Sequence, residues 1–222
     1  NATKRMSFAL ALALTAKGAN AVAPGPGPGG EIVFQDDFEG GSLGKWESVD
    51  QARYSITSNL ARVKSGARAM EAVITPQNGY GTVTKRFMPG HDEIMVRFDV
   101  MFEEGFQNLR GDGCGMHLLG IGGNNINDPY SASGKAGIRP NGSDFFQTIV
   151  DPYTACDGPE LRPLMFYTNY PDMPACTQGS CWGQSIQQMA PALPLTAGVW
   201  HEVVIYLKMN SPGQKNGEQH LW

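Results

Sequence analysis

The stretch Glu93–Phe102 alternates without a break: Ile94, Val96, Phe98, Val100 and Phe102 fall on one side of an extended chain, and Met95, Arg97, Asp99 and Met101 on the other. A helix would scatter those five apolar residues around its circumference, so the period of two predicts a strand with one face packed and one face meeting polar groups. Further strand signals lie at 32–34, 53–57, 69–74, 82–87 and 199–209, with Gly, Pro or Asn between most of them. No window carries a helical period. Many antiparallel strands joined by long connections predict an all-β chain of two packed sheets, one of which keeps an outer concave face free to bind something. With 222 residues, 41% of them hydrophobic and 28 of them glycine, the chain has the material for one sizeable, turn-rich domain.

The N-terminus predicts the compartment. Lys4 and Arg5 precede an apolar run from Phe8 to Ala16, and Ala19-Asn20-Ala21 supplies a small-x-small cleavage pattern. Residues 1–21 are therefore expected to be a signal peptide, and the run is too short to span a bilayer. Residues 22–30 hold a Pro-Gly repeat and read as a linker, with a single β-sandwich domain over 31–222. Glu218–Trp222 looks like the start of a strand with no turn after it, so that domain is expected to be incomplete at its C-terminus. The protein is expected to be secreted, or periplasmic in a bacterium, and to have no membrane partner once the signal is removed. Four cysteines suit that compartment, where disulfides persist. Cys176 and Cys181 enclose four residues and would pin a local loop, leaving Cys114 to pair with Cys156. Zinc is the rival use of these cysteines, although the chain lacks a Cys-x-x-Cys pair and a nearby His cluster.

Charge and motifs exclude several functions. A net charge of −4 without a Lys/Arg cluster lacks the footprint of nucleic-acid binding. There is no phosphate-binding Gly-rich loop and no His-Glu-x-x-His. The paired carboxylates of a Glu-x-Asp-x-x-Glu strand, which a jelly-roll glycosidase would need, are missing too. Residues 105–195 are loop-rich, and loops of that length usually carry function. Asp36, Asp37, Asp112 and Asp128 lie in or near turns and could hold a structural calcium ion; no cofactor is required otherwise.

Trp200-His201-Glu202-Val203-Val204, running through Leu207-Lys208-Met209-Asn210-Ser211-Pro212-Gly213 to Asn216-Gly217-Glu218 and Leu221-Trp222, resembles the closing hairpin of family-14 polysaccharide lyases and their relatives. These are jelly-roll enzymes of the concanavalin-A-like superfamily. The opening Phe34-Gln35-Asp36-Asp37-Phe38-Glu39, with Trp46 after it, and Arg68-Ala69-Met70 resemble other strands of such sandwiches. The hairpin is the most specific part. The resemblance implies a jelly-roll β-sandwich, truncated at its C-terminus, that cleaves an acidic polysaccharide such as alginate or glucuronan by β-elimination and works as a monomer.

It also implies a site. The family's lysine-bearing strand corresponds to residues 115–120 and puts His117 in place of the lysine, where it could act as a base or simply be a hydrogen-bonded His at a sheet surface. Its arginine strand corresponds to residues 136–140, with Arg139 to neutralise the sugar carboxylate and Lys135 on the same face by the period of two; the plainer alternative is a solvated strand edge. Its tyrosine strand corresponds to residues 165–170. There Tyr167 would transfer a proton, paired on its face with Asn169, while Tyr170 falls on the other face; either ring could instead be core or a sugar platform. His117, Arg139 and Tyr167 are thus the expected catalytic residues, and Lys135, Asn169 and Tyr170 the expected substrate-binding ones. A non-catalytic carbohydrate-binding or adhesion module on the same sandwich is the alternative function.

Overall fold

The computed structural model of the chain describes residues 4–12 (backbone only), 31–74, 81–106, 117–152, 163–174, 176, 180–186 and 195–222. Its secondary structure is almost entirely antiparallel β, with a single 3₁₀ turn at Leu60–Arg62 among the described residues. The described strands are β1 Lys4–Leu12, β2 Phe34–Asp36, β3 Ser48–Val49, β4 Tyr54–Thr57, β5 Ala69–Ile74, β6 Val83–Thr84, β7 Glu93–Phe102, β8 Leu119–Asn124, β9 Phe145–Pro152, β10 Leu164–Asn169, β11 Gln184–Ile186, β12 Trp200–Lys208 and β13 Glu218–Leu221. They form a seven-stranded sheet in the order β13-β12-β7-β1-β5-β4 with β2 also on β1, a four-stranded sheet β11-β10-β9-β8, and a two-stranded ladder β3-β6. The chain divides into two compact units, residues 1–106 with 196–222, and residues 107–195.

In the first unit the alternation of β7 is used as expected. Its register sets Phe98 opposite Val203 and Val96 opposite Ile205 on β12, so the apolar residues of both strands share a face. Phe98 is 2% exposed, and Val96, Val100, Phe102, Val203 and Ile205 are equally well sealed. Met95 and Met101 on the other face are buried as well. Tyr206 and Trp222 cover Met95 there. The rest of that face is occupied by ion pairs, Lys64 with Asp99, Arg97 with Glu202 and Arg62 with Glu71 and Glu103. Lys4–Leu12, which holds the charged start and the first residues of the apolar run expected of a signal peptide over 1–21, runs as β1 between β7 and β5, and its last residues pair with β2. The linker at 22–30 lies outside the described residues.

Two expected strands differ in extent. The signal at 82–87 yields only Val83–Thr84, because its partner strand is the two residues Ser48–Val49; the signal at 32–34 moves forward to Phe34–Asp36, where β1 offers a ladder.

The second unit is built on β9, whose run Phe-Phe-Gln-Thr-Ile-Val-Asp-Pro is buried along nearly all its length. β10 and β8 flank it. Alternation puts Phe145, Gln147, Ile149 and Asp151 on one face and Phe146, Thr148 and Val150 on the other. The buried hydroxyls of Thr148 and Thr168 satisfy each other at 2.8 Å. Among the described residues no helix is long and apolar enough to cross a membrane.

Candidate functional site

Asp151 is the penultimate residue of β9, and its side chain is 3% exposed. A carboxylate buried this deeply needs a partner. It finds one because the ladder continues one step past β8: the Leu118 amide donates to the Val150 carbonyl at 3.1 Å and carries His117 alongside the end of β9. Nδ1 of His117 lies 3.1 Å from each carboxylate oxygen of Asp151. An ionised carboxylate only accepts, so the proton of a neutral His117 resides on Nδ1 and the lone pair on Nε2 is free. The imidazole is 49% exposed, open to a ligand on one side and anchored on the other. Its pKa is raised above the ordinary histidine value by the hydrogen bond to Asp151 and by that carboxylate's charge, against a smaller opposing effect of burial.

Tyr167 comes from β10, opposite Ile149 and two residue pairs along from Asp151. Its ring centroid is 5.9 Å from that of His117, with the planes tilted by 35°. The phenol oxygen accepts the Gly183 amide at 2.7 Å, which leaves its own proton available to another acceptor. Position 183 requires glycine. A Cβ there would collide with the Tyr167 ring, so only a bare backbone lets the amide reach the hydroxyl. Burial pushes the Tyr167 pKa up and the charge of Asp151 adds to this, outweighing the Gly183 hydrogen bond, so the phenol keeps its proton at neutral pH.

The remaining expected residues are distributed differently. Residues 136–140 are not a strand: Gly137 turns the chain at φ 75°, and Ile138 donates back to the Lys135 carbonyl at 3.0 Å. Lys135 and Arg139 therefore do not share a strand face. Arg139 is exposed, and its Nη2 donates to the Pro174 carbonyl at 3.1 Å and lies 3.5 Å from Sγ of Cys176. Lys135 lines a cavity of about 400 Å³ with Asn125, Asp128, Tyr130 and Asp144. Asp144 immediately precedes β9 and Asp151 nearly ends it, so that cavity lies roughly 20 Å along the strand from His117, at about 3.3 Å per residue. Lys135 is thus not at the rim of the His117 site. Asn169 shares the Tyr167 face of β10 but is buried and bonds the Cys181 carbonyl at 3.5 Å. Tyr170 follows the strand and donates its hydroxyl to Gln184.

Cys176 and Cys181 are bridged, with Cα atoms 4.4 Å apart. Cys114 and Cys156 lie outside the described residues, as does Asp112. Asp36 is committed to the Phe38 amide at 3.1 Å and the Trp46 indole at 2.9 Å. Among the described residues no three His, Cys, Asp or Glu side chains converge as a metal would need.

Sequence reasoning passed over Asp151 and Gly183. Asp151 had a faint signal, a single acid closing the apolar run Ile149-Val150, whereas nothing local marks Gly183 as the donor to a tyrosine sixteen residues away. No family model, curated protein or solved structure matches the chain.

Proposed function

We propose that the protein is an exported polysaccharide lyase of jelly-roll type that cleaves a uronic-acid polymer by β-elimination, with His117 as base and Tyr167 as acid. The observation that carries this is the pairing of a half-exposed imidazole, held by buried Asp151 with Nε2 free, with a protonated phenol whose ring lies 5.9 Å away. In the reaction Nε2 takes the proton alpha to the uronate carboxylate, a C=C bond forms in the ring, and the C–O bond to the leaving sugar breaks. The Tyr167 hydroxyl proton passes to the departing oxygen. The carbanionic charge spreads onto the carboxylate, which a cation or N–H donor must neutralise. Arg139 is the candidate. It is exposed, keeps further N–H donors beyond the one bonded to Pro174, and braces the disulfide loop that leads to Gly183. Export draws on the disulfide.

The test is ultraviolet absorbance of unsaturated uronate during incubation with alginate, glucuronan and pectate. One polymer is expected to give product, and His117→Ala and Tyr167→Phe are each expected to cut turnover by about 10²–10⁴, the usual contribution of a positioned acid or base. Retention of the protein on a polysaccharide without any absorbance change would sink the lyase assignment and favour the carbohydrate-binding module.

A further inference from the structure

The cavity that Lys135 lines lies where β9 begins, at the opposite end of that strand from His117. Its wall is a stretch of chain folded back on itself. The amides of Asp128 and Ser131 donate to the carbonyls of Asn125 and Asp128 at 2.9 and 3.1 Å, and the Ser133 amide donates to the Tyr130 carbonyl at 2.8 Å. The buried Ser131 hydroxyl accepts the Asn125 amide at 2.7 Å and donates to the Asp144 carbonyl at 2.6 Å, which fastens this loop to the start of β9. Each carboxylate of the lining is held by one oxygen only. Oδ1 of Asp128 accepts the Tyr130 amide at 3.0 Å, and Oδ1 of Asp144 accepts the amides of Asn141 and Phe145 at 2.9 and 2.8 Å. The second oxygen of each keeps its lone pairs for a ligand. Burial acts to raise the pKa of Asp144, but the amides of Asn141, Phe145 and Asp144 itself, together with the charge of Lys135, outweigh it and hold that carboxyl below the ordinary value. The Lys135 ammonium and the exposed Ser133 hydroxyl make no hydrogen bond among the described residues.

We propose that this cavity is a binding site for an uncharged hexose, separate from the site of His117 and Tyr167. Its volume of about 400 Å³ is that of a small-ligand pocket, about 300–1,000 Å³, but pockets of that kind are lined mainly by apolar side chains. This lining is polar apart from the ring of Tyr130, which is 55% exposed. An apolar ligand would strip water from those groups and give nothing back. Two carboxylates against one ammonium disfavour an anion. That ammonium also opposes a metal ion, and no three acidic, His or Cys side chains converge to hold one among the described residues. A sugar hydroxyl both donates and accepts, so one ring can donate to the second oxygens of Asp128 and Asp144 and accept from Lys135. Its apolar C–H face suits the Tyr130 ring. None of this depends on the lyase reading.

The experiment titrates the full chain, labelled with nitrogen-15, with glucose, galactose and mannose and with the uronate counterpart of each, while the amide resonances are followed. At least one hexose is expected to shift the amides of residues 125–135 and 144 with a dissociation constant in the millimolar range, and its uronate to bind more weakly. Lys135→Met removes the ammonium, and Asp128→Asn removes a charge while keeping an acceptor for the Tyr130 amide. Each is expected to weaken binding about tenfold, the worth of one hydrogen bond to a charged group. Resonances outside residues 125–144 report whether each variant keeps its fold, and two variants guard against the loss of one. The readout needs no turnover, so it stands whatever the elimination assay shows. The absence of a shift with all three hexoses would overturn the site. So would shifts that map to His117 and Tyr167 instead, a uronate that binds as tightly as its hexose, or an affinity unchanged in both folded variants.

Discussion

The seven-stranded and four-stranded sheets differ in the partners they give their acids. On the polar face of the first, acids meet full cations: Asp99 with Lys64 and Glu202 with Arg97 near the surface, and buried Glu71 with Arg62. The two outer pairs are partly solvated and nearly neutral in their effect on stability. In the second sheet Asp151, the one buried carboxylate among the described residues there, has a half-exposed histidine rather than a full cation as its partner. The first arrangement holds its charges in pairs with lysine and arginine, whereas the second leaves a half-exposed imidazole able to titrate. Perturbed, asymmetrically exposed groups of this kind are where chemistry is to be sought.

Three measurements bear on that contrast, and the largest effect belongs to the first sheet. Phe98→Ala empties a fully packed site between β7 and β12 and is expected to cost about 3–5 kcal/mol in denaturant unfolding, the usual range for a buried Phe. A loss below about 1 kcal/mol would show that the face holding Val96, Phe98 and Val100 is not the core.

Next in size is the pH response of the second sheet. Because Asp151 raises the folded-state pKa of His117, this contact contributes stability that is fully present below the unfolded value of about 6.5 and is lost as pH rises through the higher folded value. Neutral His117 is the proposed base, so the acid limb of kcat/KM should lie above that same ordinary value. Asp151→Asn removes the negative charge and leaves at most a neutral acceptor against the lowering effect of burial, so both the NMR titration of His117 and the activity limb should move to lower pH. A titration that does not shift would separate His117 from Asp151 in solution.

The smallest effect is expected on the charged face of the first sheet. Arg97→Ala breaks the 2.8 Å pair with Glu202, in which both side chains are more than a third exposed. The change in unfolding free energy should stay within about 1 kcal/mol and shrink further in high salt. A larger loss would mean that this face carries more than solvated pairs, and the contrast between the two sheets would narrow.

Much of the architecture was legible in local pattern. β5, β7 and β12 emerge at or within a residue of the bounds that alternation marks, because a period of two with an apolar face leaves a strand no other way to bury its side chains. Tyr167 and Asn169 share a face for the same reason. The short spacing of Cys176 and Cys181 likewise announced their bridge. Pattern failed at 136–140, where a resemblance to a strand met a glycine free to take positive φ, and the chain turned instead.

What the sequence determined by itself, then, is part of the strand set, β5, β7 and β12 most closely, and the side their residues face, since both follow from local alternation; β1 and β9 were not marked as strands. What only the tertiary structure decided is which faces meet. His117 acquires its properties from Asp151, thirty-four positions away, and Tyr167 its hydrogen bond from Gly183, sixteen away. Those distances along the chain are spanned by the registers of β8, β9 and β10, and a register is set by the summed burial of whole strands rather than by any residue that it brings to the site.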